Sequence, residues 1–349
     1  AWLKQCHAQA FFELIEVDNA NANDIQRWNQ ALSIVTQHEL HAMNIEKVFD
    51  QWTLSERYAL NPDSLGQAAY NIELTAPYDI IWHAGDIAEI QPATSMAEIA
   101  AFLIKHQIPA HSQVASLKQP IEQLLWDKNL RTDIQPFNNP EELLQQLPTL
   151  PTREYSIASI PSQQVLRLVV RQQRDENGQL GLGSGWLTEF ASLKQTIALR
   201  IRSNESFHLI DDNRPIICIG NGTGIAGLMG LLQQRNRQNY TANWLIFGER
   251  QREHDFFYQE TIEAWKNMGT LKRLDLAFSR DQAQRIYVQD VLREQADELI
   301  SWIDQGAVIY VCGSIDGMAS GVDQALIDIL GEEKVDALRQ AGRYRRDVY

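Results

Sequence analysis

An antiparallel β-barrel carrying a helical insert, followed by a parallel-sheet α/β domain, is the fold class the sequence predicts. Three observations predict it. Residues 33–92, and again the stretch after 150, hold short runs that alternate apolar and polar residues between turn signals. Residues 93–150 interrupt that pattern with helical spacing. From Arg214 onward, strand-like apolar runs alternate with helical ones, and glycines close the helices. Short strands with turns suggest a small barrel. Regular strand–helix alternation argues a parallel sheet covered on both faces.

Taken in order, residues 1–32 read as helix, short strand (FFELIEV) and helix (NDIQRWNQAL, with Asn23 or Asp24 as a cap). QWTLSER, AYNIEL and GDIAEI read as strands, and LNPDSLGQ between the first two is turn chemistry. MAEIAAFLIKHQ, PIEQLLWDK and PEELLQQL have helical spacing and form the insert. REYSIAS, VLRLVVRQ and TIALRIRS resume the strands. Then come four pairs: PIICIG with GIAGLMGLLQQR, NWLIFG with DFFYQETIEAWKNMG, LKRLDLAFS with VQDVLREQADELISWIDQG, and AVIYVCG with MASGVDQALIDILG. RYRRDVY ends the chain.

The composition allows a sizeable core, with 44% hydrophobic and 22% charged residues, and 349 residues suit two domains. A net charge of -14 without a basic run argues against nucleic acid or an anionic membrane as partner. There is no signal peptide, and no apolar stretch approaches the ~20 residues of a membrane-spanning helix. Cys6, Cys218 and Cys312 lie far apart and suggest no disulfide framework, which fits a reducing, cytoplasmic setting. The first residue is Ala1, and the opening AWLKQCHAQAFFELIEV begins mid-pattern, so the chain reads as a fragment of a longer one.

Four motifs could carry chemistry. In IICIGNGTGIAG a buried strand runs into a turn where Gly222, Gly224 and Gly227 satisfy G-x-G-x-x-G. Such a turn at a helix N-terminus favours an anion, and a tight ligand-free turn is the plain alternative. In LDLAFSRDQAQRIYVQD, Ser279 and Arg280 follow the third strand of the same unit, where open parallel sheets bind ligands. If the segment is extended, Arg285, Tyr287 and Gln289 point to one side, a set that suits an adenine with a 2'-phosphate and so NADP(H). An exposed charged loop is the rival reading.

The third motif is REYSIAS with GLGSGWL. An arginine, a ring and a hydroxyl, together with small residues offering backbone amides, form a set a flavin needs. The fourth is YVCGS with the C-terminal GRYRRDVY. By themselves they suggest a buried structural cysteine, Cys312, and a frayed terminal tyrosine, Tyr349.

REYSIAS, GSGWL, GNGTGIAG, SRDQ…RIYVQ, YVCG…GMA and GRYRRDVY in this order resemble the ferredoxin–NADP reductase-like module of diflavin reductases, of the sulfite reductase flavoprotein and NADPH–haemoprotein reductase type. The likeness runs from about Gln51 to Tyr349, and residues 1–32 resemble the end of the flavodoxin-like FMN domain that precedes the module in that family. The resemblance implies an FAD-binding barrel over 33–210 with its insert at 93–150, and an NADP(H)-binding α/β domain over 211–349. It implies that Arg153, Glu154, Tyr155 and Ser156 contact FAD, with Ser156 near flavin N5. Gly181, Leu182, Gly183 and Ser184 would hold the FAD pyrophosphate, Leu168 and Val169 would lie along the cofactor, and Arg57 would add a phosphate contact. Gly222, Thr223 and Gly224 would hold the NADPH pyrophosphate, and Ser279, Arg280, Arg285, Tyr287 and Gln289 would read the 2'-phosphate. Ser156, Cys312, Asp347 and Tyr349 would be catalytic: Cys312 and Asp347 flank the nicotinamide, and Tyr349 stacks on the flavin.

The implied activity is hydride transfer from NADPH to FAD, followed by single electrons to an FMN domain of the parent chain or to a haem or flavodoxin-type acceptor. No metal ligands, nucleic acid or membrane contact of this fragment are expected, although the parent chain could be membrane-attached. Two positions depart from the family pattern. Gly227 stands where a proline is usual, and Ser314 stands where an acidic residue commonly follows Cys-Gly, which leaves Asp347 to carry the acidic role alone. The insert is also short for the family's connecting domain, so its role in orienting an FMN domain is open. Rival readings are a stand-alone ferredoxin or flavodoxin reductase, an NADPH-binding module without turnover, and a dehydrogenase placing Glu249 on a ribose.

Overall fold

The computed structural model describes residues 8–13, 15, 22–40 and 47–349, and the chain divides into two compact units, Ala1–Val48 and Phe49–Tyr349. In the first unit, helix α1 (Ala22–Thr36) sets Trp28 edge-on to Phe12, with ring centroids 6.0 Å apart. Residues 1–7 of the helix expected before FFELIEV, and Leu14, Glu16 and Val17 of that strand, lie outside the described residues; among the described ones Phe11 and Phe12 form a bend and no strand forms there. The domain boundary expected after residue 32 falls inside α1, because the helix runs on for four more residues to Thr36.

The second unit begins with the barrel. Its strands are β1 (Asp50–Ala59), β2 (Ala69–Thr75), β3 (Ile87–Gln91), then β6 (Arg153–Ser156), β7 (Leu166–Arg171) and β8 (Thr196–Arg202). They pair in the order β6-β3-β8-β1-β2-β7, antiparallel throughout. The edges meet where the Ala158 N–H donates to the Arg167 carbonyl at 2.8 Å, which curls the sheet toward closure. Alternation does the sorting: Trp52 and Leu54 face a dry interior with Ile72, Leu74, Leu166 and Leu168, while Gln51 and Thr53 face out.

The insert holds a second small core. Helix α2 (Met96–Lys105) is capped by Ser95 Oγ, which accepts from Glu98 N, and α4 (Pro140–Gln146) is capped by Asn139 Oδ1, which accepts from Glu142 N. Between them sit a hairpin, β4 (Gln113–Val114) with β5 (Gln119–Pro120), and a single turn α3 (Ile121–Leu124). The longer helix expected over residues 120–128 stops at Leu124; beyond it the Lys128 N–H turns back to the Leu125 carbonyl at 3.1 Å instead of continuing the helical ladder, and the Trp126 and Asp127 carbonyls accept from Thr94 N and Leu150 N. Ile99, Phe102, Ile121, Leu125 and Leu143 pack together within the insert.

After β7 comes a short helix α5 (Leu182–Gly185) that continues as one wider turn to Phe190. The α/β domain then opens. Its strands are β9 (Ile216–Asn221), β10 (Asn243–Glu249), β11 (Arg273–Phe278), β12 (Val308–Gly313) and β13 (Tyr344–Val348). They form a parallel sheet in the order β11-β10-β9-β12-β13. The intervening helices are α6 (Ile225–Arg237), α7 (Arg252–Asp255), α8 (Gln259–Met268), α9 (Val288–Glu294), α10 (Ala296–Asp304), α11 (Ser320–Leu330) and α12 (Glu332–Gln340). The expected pairs are all present.

The near-continuous apolar strands feed two cores. Ile216 and Cys218 join one cluster with Leu245, Phe247, Tyr310 and Cys312, and Ile217 and Ile219 join the other with Trp244, Ile246, Ile309 and Val311. Each fully buried branched side chain stabilises by about 1.5–3 kcal/mol. The first cluster also takes in Ala69, Ala158 and Val169 from the barrel, so the two domains share one apolar seam. Buried polar contacts lock that seam: Asn61 Nδ2 donates to Asp255 Oδ1 at 3.0 Å, and the Tyr258 hydroxyl to Asn71 Oδ1 at 2.9 Å. Cys218 and Cys312 are free and buried, and no helix among the described residues is long and apolar enough to cross a membrane.

Candidate active site

The strand order reverses direction of travel between β9 and β12, and the carboxyl ends of those two strands define a crevice where open parallel sheets take ligands. The Gly222–Gly224 turn lies there, feeding α6. A Cβ on Gly224 would sit 2.1 Å from the Cys312 carbonyl, so only a glycine lets the turn nest against β12. Two clefts open at this point. One, of about 660 Å³, lies over the sheet; the other, of about 360 Å³, lies between the sheet and the barrel.

The larger cleft is lined by Gly222, Thr223, Ser279, Arg280, Tyr287 and Gln289 among the expected residues. Ser279 N–H and Arg280 N–H donate to the Glu249 and Arg250 carbonyls at 2.9 and 2.8 Å, which extends the β10–β11 pairing past the strand ends and fixes the Ser-Arg corner. The expected alternation of Arg285, Tyr287 and Gln289 is not there. Tyr287 caps α9, its N–H donating to Asp290 Oδ2 at 2.9 Å, and Gln289 already lies in the first helical turn. Helical rotation therefore replaces the two-residue period. Tyr287 and Gln289 still reach the cleft, whereas Arg285 is exposed and does not line it.

The smaller cleft is lined by Arg153, Glu154, Tyr155 and Ser156 on one side and by Gly181, Leu182, Gly183 and Ser184 on another. Val169 lines it too. Leu168 does not: strand alternation turns it into the barrel core, where it is fully buried. Arg57 does not either. Its guanidinium donates to the Leu187 and Ala191 carbonyls at 3.2 and 2.7 Å, closing the far end of the segment whose start forms the cleft. Burial pushes the Tyr155 hydroxyl up to about 12, so it is a neutral donor at ordinary pH.

The two clefts share a wall of Arg171, Gln173, Thr223 and Tyr349. Tyr349 is held by its own backbone, donating N–H to Gly313 and accepting from Ile315 N–H at 2.8 Å, while its hydroxyl lies 2.9 Å from Thr223 Oγ1. Just behind the wall, Ser156 Oγ donates to Asp347 Oδ2 at 2.7 Å and lies 3.9 Å from Cys312 Sγ; the Cys312 thiol approaches the same carboxylate oxygen at 3.7 Å. Parallel register sets Cys312 beside Asp347, and the barrel brings Ser156 from 156 residues away. Burial raises the Cys312 thiol well above its ordinary value, with the Asp347 charge adding to it, so the sulfur stays protonated. Burial also raises Asp347 above the usual carboxylate range, although the Ser156 and Cys312 hydrogen bonds oppose the shift.

Sequence reasoning missed Arg171 and Arg250. Arg171, on a barrel strand, pairs with Glu249 at the end of β10, while burial pushes the Glu249 carboxyl upward. Glu249 is thereby occupied by a cation, which weakens its reading as a ribose ligand. A pairing across 78 residues leaves no local pattern to read. The clefts gather Arg153, Arg171, Arg250 and Arg280 against Glu154, Glu249 and Asp316; with Arg171 paired to Glu249, the cations Arg153, Arg250 and Arg280 outnumber the two remaining carboxylates in a chain of net charge -14, which suits anionic ligands.

Residues 218–324 match the family described as the oxidoreductase NAD-binding domain. The chain is 41% identical over 228 residues to the sulfite reductase (NADPH) flavoprotein alpha-component of Yersinia enterocolitica, an alignment covering 60% of this chain and 38% of that relative. The same figures hold for the alpha-component of Yersinia pestis bv. Antiqua (strain Antiqua). For the alpha-component of Neisseria meningitidis serogroup B, identity is 38% over 226 residues, covering 60% of this chain and 37% of the relative. The chain thus spans less than two fifths of the length of these relatives. The resemblance expected from the motifs holds: the chain carries an oxidoreductase NAD-binding domain beside an antiparallel barrel, in the ferredoxin–NADP reductase-like arrangement, and is similar to the flavoprotein alpha-components of sulfite reductases.

Proposed function

We propose that the chain is the FAD- and NADPH-binding module of a flavoprotein reductase, taking hydride from NADPH and passing electrons on to an FMN domain of its parent chain or to a haem or flavodoxin-type acceptor. The observation that carries this reading is the shared wall: two clefts meet at Thr223 and Tyr349, and Ser156, which lines the smaller cleft beside that wall, is hydrogen-bonded to Asp347. Hydride transfer needs two planar rings in contact, and two sites opening on one wall supply that geometry. Residues 1–32, read as the end of an FMN domain, and a cytoplasmic setting, supported by the free cysteines, belong to the same proposal.

The residues present fit the groups implied. A Cβ on Gly183 would meet Arg153 Cγ at 2.5 Å, so the glycine keeps open the space where Arg153 and the first-turn amides of α5 converge, a cradle for a pyrophosphate. When bound, the flavin supplies a ring that accepts hydride at N5 and releases electrons singly. Arg153 would bind its phosphate and Tyr155 would lie against its ring. Ser156 Oγ, anchored on Asp347, would present a hydroxyl to the redox edge. On the other side, Gly222 and Thr223 would hold the pyrophosphate of NADPH at the start of α6, and Ser279 and Arg280 would take its 2'-phosphate. The Asp347 carboxylate would favour the positive charge that develops on the departing nicotinamide.

Purified chain incubated with FAD is expected to bind one equivalent, turn yellow, and bleach on anaerobic addition of NADPH faster than with NADH. Protein that stays colourless while NADPH still binds would replace this proposal with a non-catalytic binding module.

Tyr349 occupies the wall that a nicotinamide must cross to reach the smaller cleft. Removing its ring is expected to raise kcat/KM for NADH by roughly two- to tenfold, the worth of one aromatic stack. Steady-state comparison of Tyr349→Ala with the parent tests it; unchanged coenzyme preference would remove Tyr349 from the stacking role.

A further inference from the structure

Away from both clefts, the turn that enters β3 meets the segment joining the barrel to the α/β domain. His83 and Asp86 come from the turn and His208 from the joining segment, and among the described residues this is where three metal-ligating side chains converge. Asp86 Oδ1 lies 2.6 Å from His208 Nε2, Asp86 Oδ2 lies 3.8 Å from His83 Nδ1, and all three donor atoms lie within 4.8 Å of one another. The imidazoles face each other with centroids 5.3 Å apart.

The arrangement is built rather than incidental. Asp86 is 3% exposed, and its carboxylate is aimed by two backbone donors, His83 N–H at 2.7 Å and Asn204 N–H at 3.1 Å. Gly85, at φ +102°, lets the turn press on the joining segment; a Cβ there would lie 2.7 Å from the Phe207 carbonyl. One imidazole suffices to partner a buried aspartate, and His208 already does so. The second, on His83, has a side chain 72% exposed and therefore free to rotate over the same carboxylate.

We propose that His83, Asp86 and His208 bind one divalent transition-metal cation, Zn2+ foremost, with water completing a tetrahedral set. Zinc takes imidazole nitrogen and carboxylate oxygen at about 2.0–2.2 Å, which places tetrahedral donors roughly 3.3 Å apart. The contacts in place are to different carboxylate oxygens, His208 Nε2 to Oδ1 at 2.6 Å and His83 Nδ1 to Oδ2 at 3.8 Å, so the tetrahedral set needs a small opening of the His208 contact and a rotation of the exposed His83 ring that brings both nitrogens about one carboxylate oxygen. Two imidazoles with one carboxylate select zinc, copper or nickel over magnesium or calcium, which prefer all-oxygen sets. With three protein ligands from two segments, the ion is a clamp. The carbonyl of His208 accepts from Arg345 Nη1 at 2.8 Å and from the Tyr310 hydroxyl at 3.1 Å, so the clamp would tie the barrel turn through the joining segment to β12 and β13. The proposal is independent of the reductase reading, since none of its ligands lines either cleft.

The test is titration of the chelator-treated full chain with Zn2+ by calorimetry, alongside melting curves. One equivalent is expected to bind in the micromolar range or tighter and to raise the melting temperature. His83→Ala is expected to weaken binding by at least roughly tenfold and to abolish the thermal shift, with His208→Gln weakening it further. Cu2+ loaded into the same site is expected to show two nitrogen ligands by electron paramagnetic resonance, reduced to one in His83→Ala. Absence of saturable binding would overturn the proposal and leave a His–Asp hydrogen bond. Stoichiometric binding with the same affinity in His83→Ala would overturn it too, by placing the ion elsewhere. If His208→Gln fails to fold, His83→Ala decides alone, because an exposed ring can be removed without disturbing the core.

Discussion

Arg280→Ala is expected to raise KM for NADPH by roughly tenfold to hundredfold while leaving kcat nearly unchanged and NADH turnover nearly untouched. A hydrogen bond to a charged group contributes about 1.5–3 kcal/mol, which sets that range. The two coenzymes differ by one phosphate on the adenosine ribose, remote from the reacting ring, so its loss removes binding that is equal in ground and transition states; such a loss appears in KM alone. The Arg280 side chain is exposed on a corner fixed by backbone bonds to the β10 end, so truncation removes a cation without disturbing the fold. Arg250 lines the same cleft, its guanidinium donating to the Leu65 carbonyl at 3.3 Å, and it would take up part of the charge. Arg280→Ala with Arg250→Ala is therefore expected to exceed either change alone. Equal loss with NADPH and NADH in steady-state assays would rule out a phosphate-reading role for Arg280.

Arg280 also shows what kind of feature the sequence reveals. A strand, then a serine and an arginine, is local information, and the neighbours of residue 280 follow from the parallel order of the sheet. The glycine turn after β9 and the REYS strand are of the same kind: short motifs whose backbone geometry follows from their own residues. Arg285 failed because two local periods compete over a few residues. Extended spacing over 285–289 conflicts with the helical spacing of Val288, Val291 and Leu292, and the buried helix won. Leu168 failed because adjacent strand residues cannot share a face. Arg57 failed because its partners are carbonyls in a segment about 130 residues away, and no side-chain pattern announces a carbonyl. The Arg171–Glu249 pair and the His83–Asp86–His208 cluster were invisible for a like reason: each joins segments that only the packing of barrel on sheet brings together. Asp347 was placed by resemblance, and the register of β12 with β13 now gives it a physical cause.

That register makes Asp347 the residue whose change should cost most. Asp347→Asn is expected to lower the rate of NADPH-driven reduction by about a hundredfold, the scale at which removing one preorganised electrostatic group from a site acts. The amide still accepts from Ser156 Oγ, so the hydroxyl stays in place and the loss isolates the charge. The same charge gives the wild type an acid limb. Burial raises Asp347 above its ordinary 3.8, so protonation on acidification begins earlier than for a surface aspartate, and the rate should fall as pH drops through that raised value. In Asp347→Asn the limb should be gone. Stability should move the other way. A carboxyl whose folded pKa is raised gives stability that is fully present below its unfolded pKa and lost as pH rises through the folded one. At neutral pH the ionised, partly desolvated carboxylate is thus a net cost, which asparagine lacks. The variant is therefore expected to melt at or above the wild-type temperature near pH 7, with its advantage shrinking as pH approaches 3.8. Stopped-flow reduction and melting curves across that pH range measure both effects on the same protein. A variant that keeps the wild-type acid limb, slower by one constant factor at every pH, and that is less stable at pH 7 would mean that Asp347 holds the cluster together rather than supplying its charge.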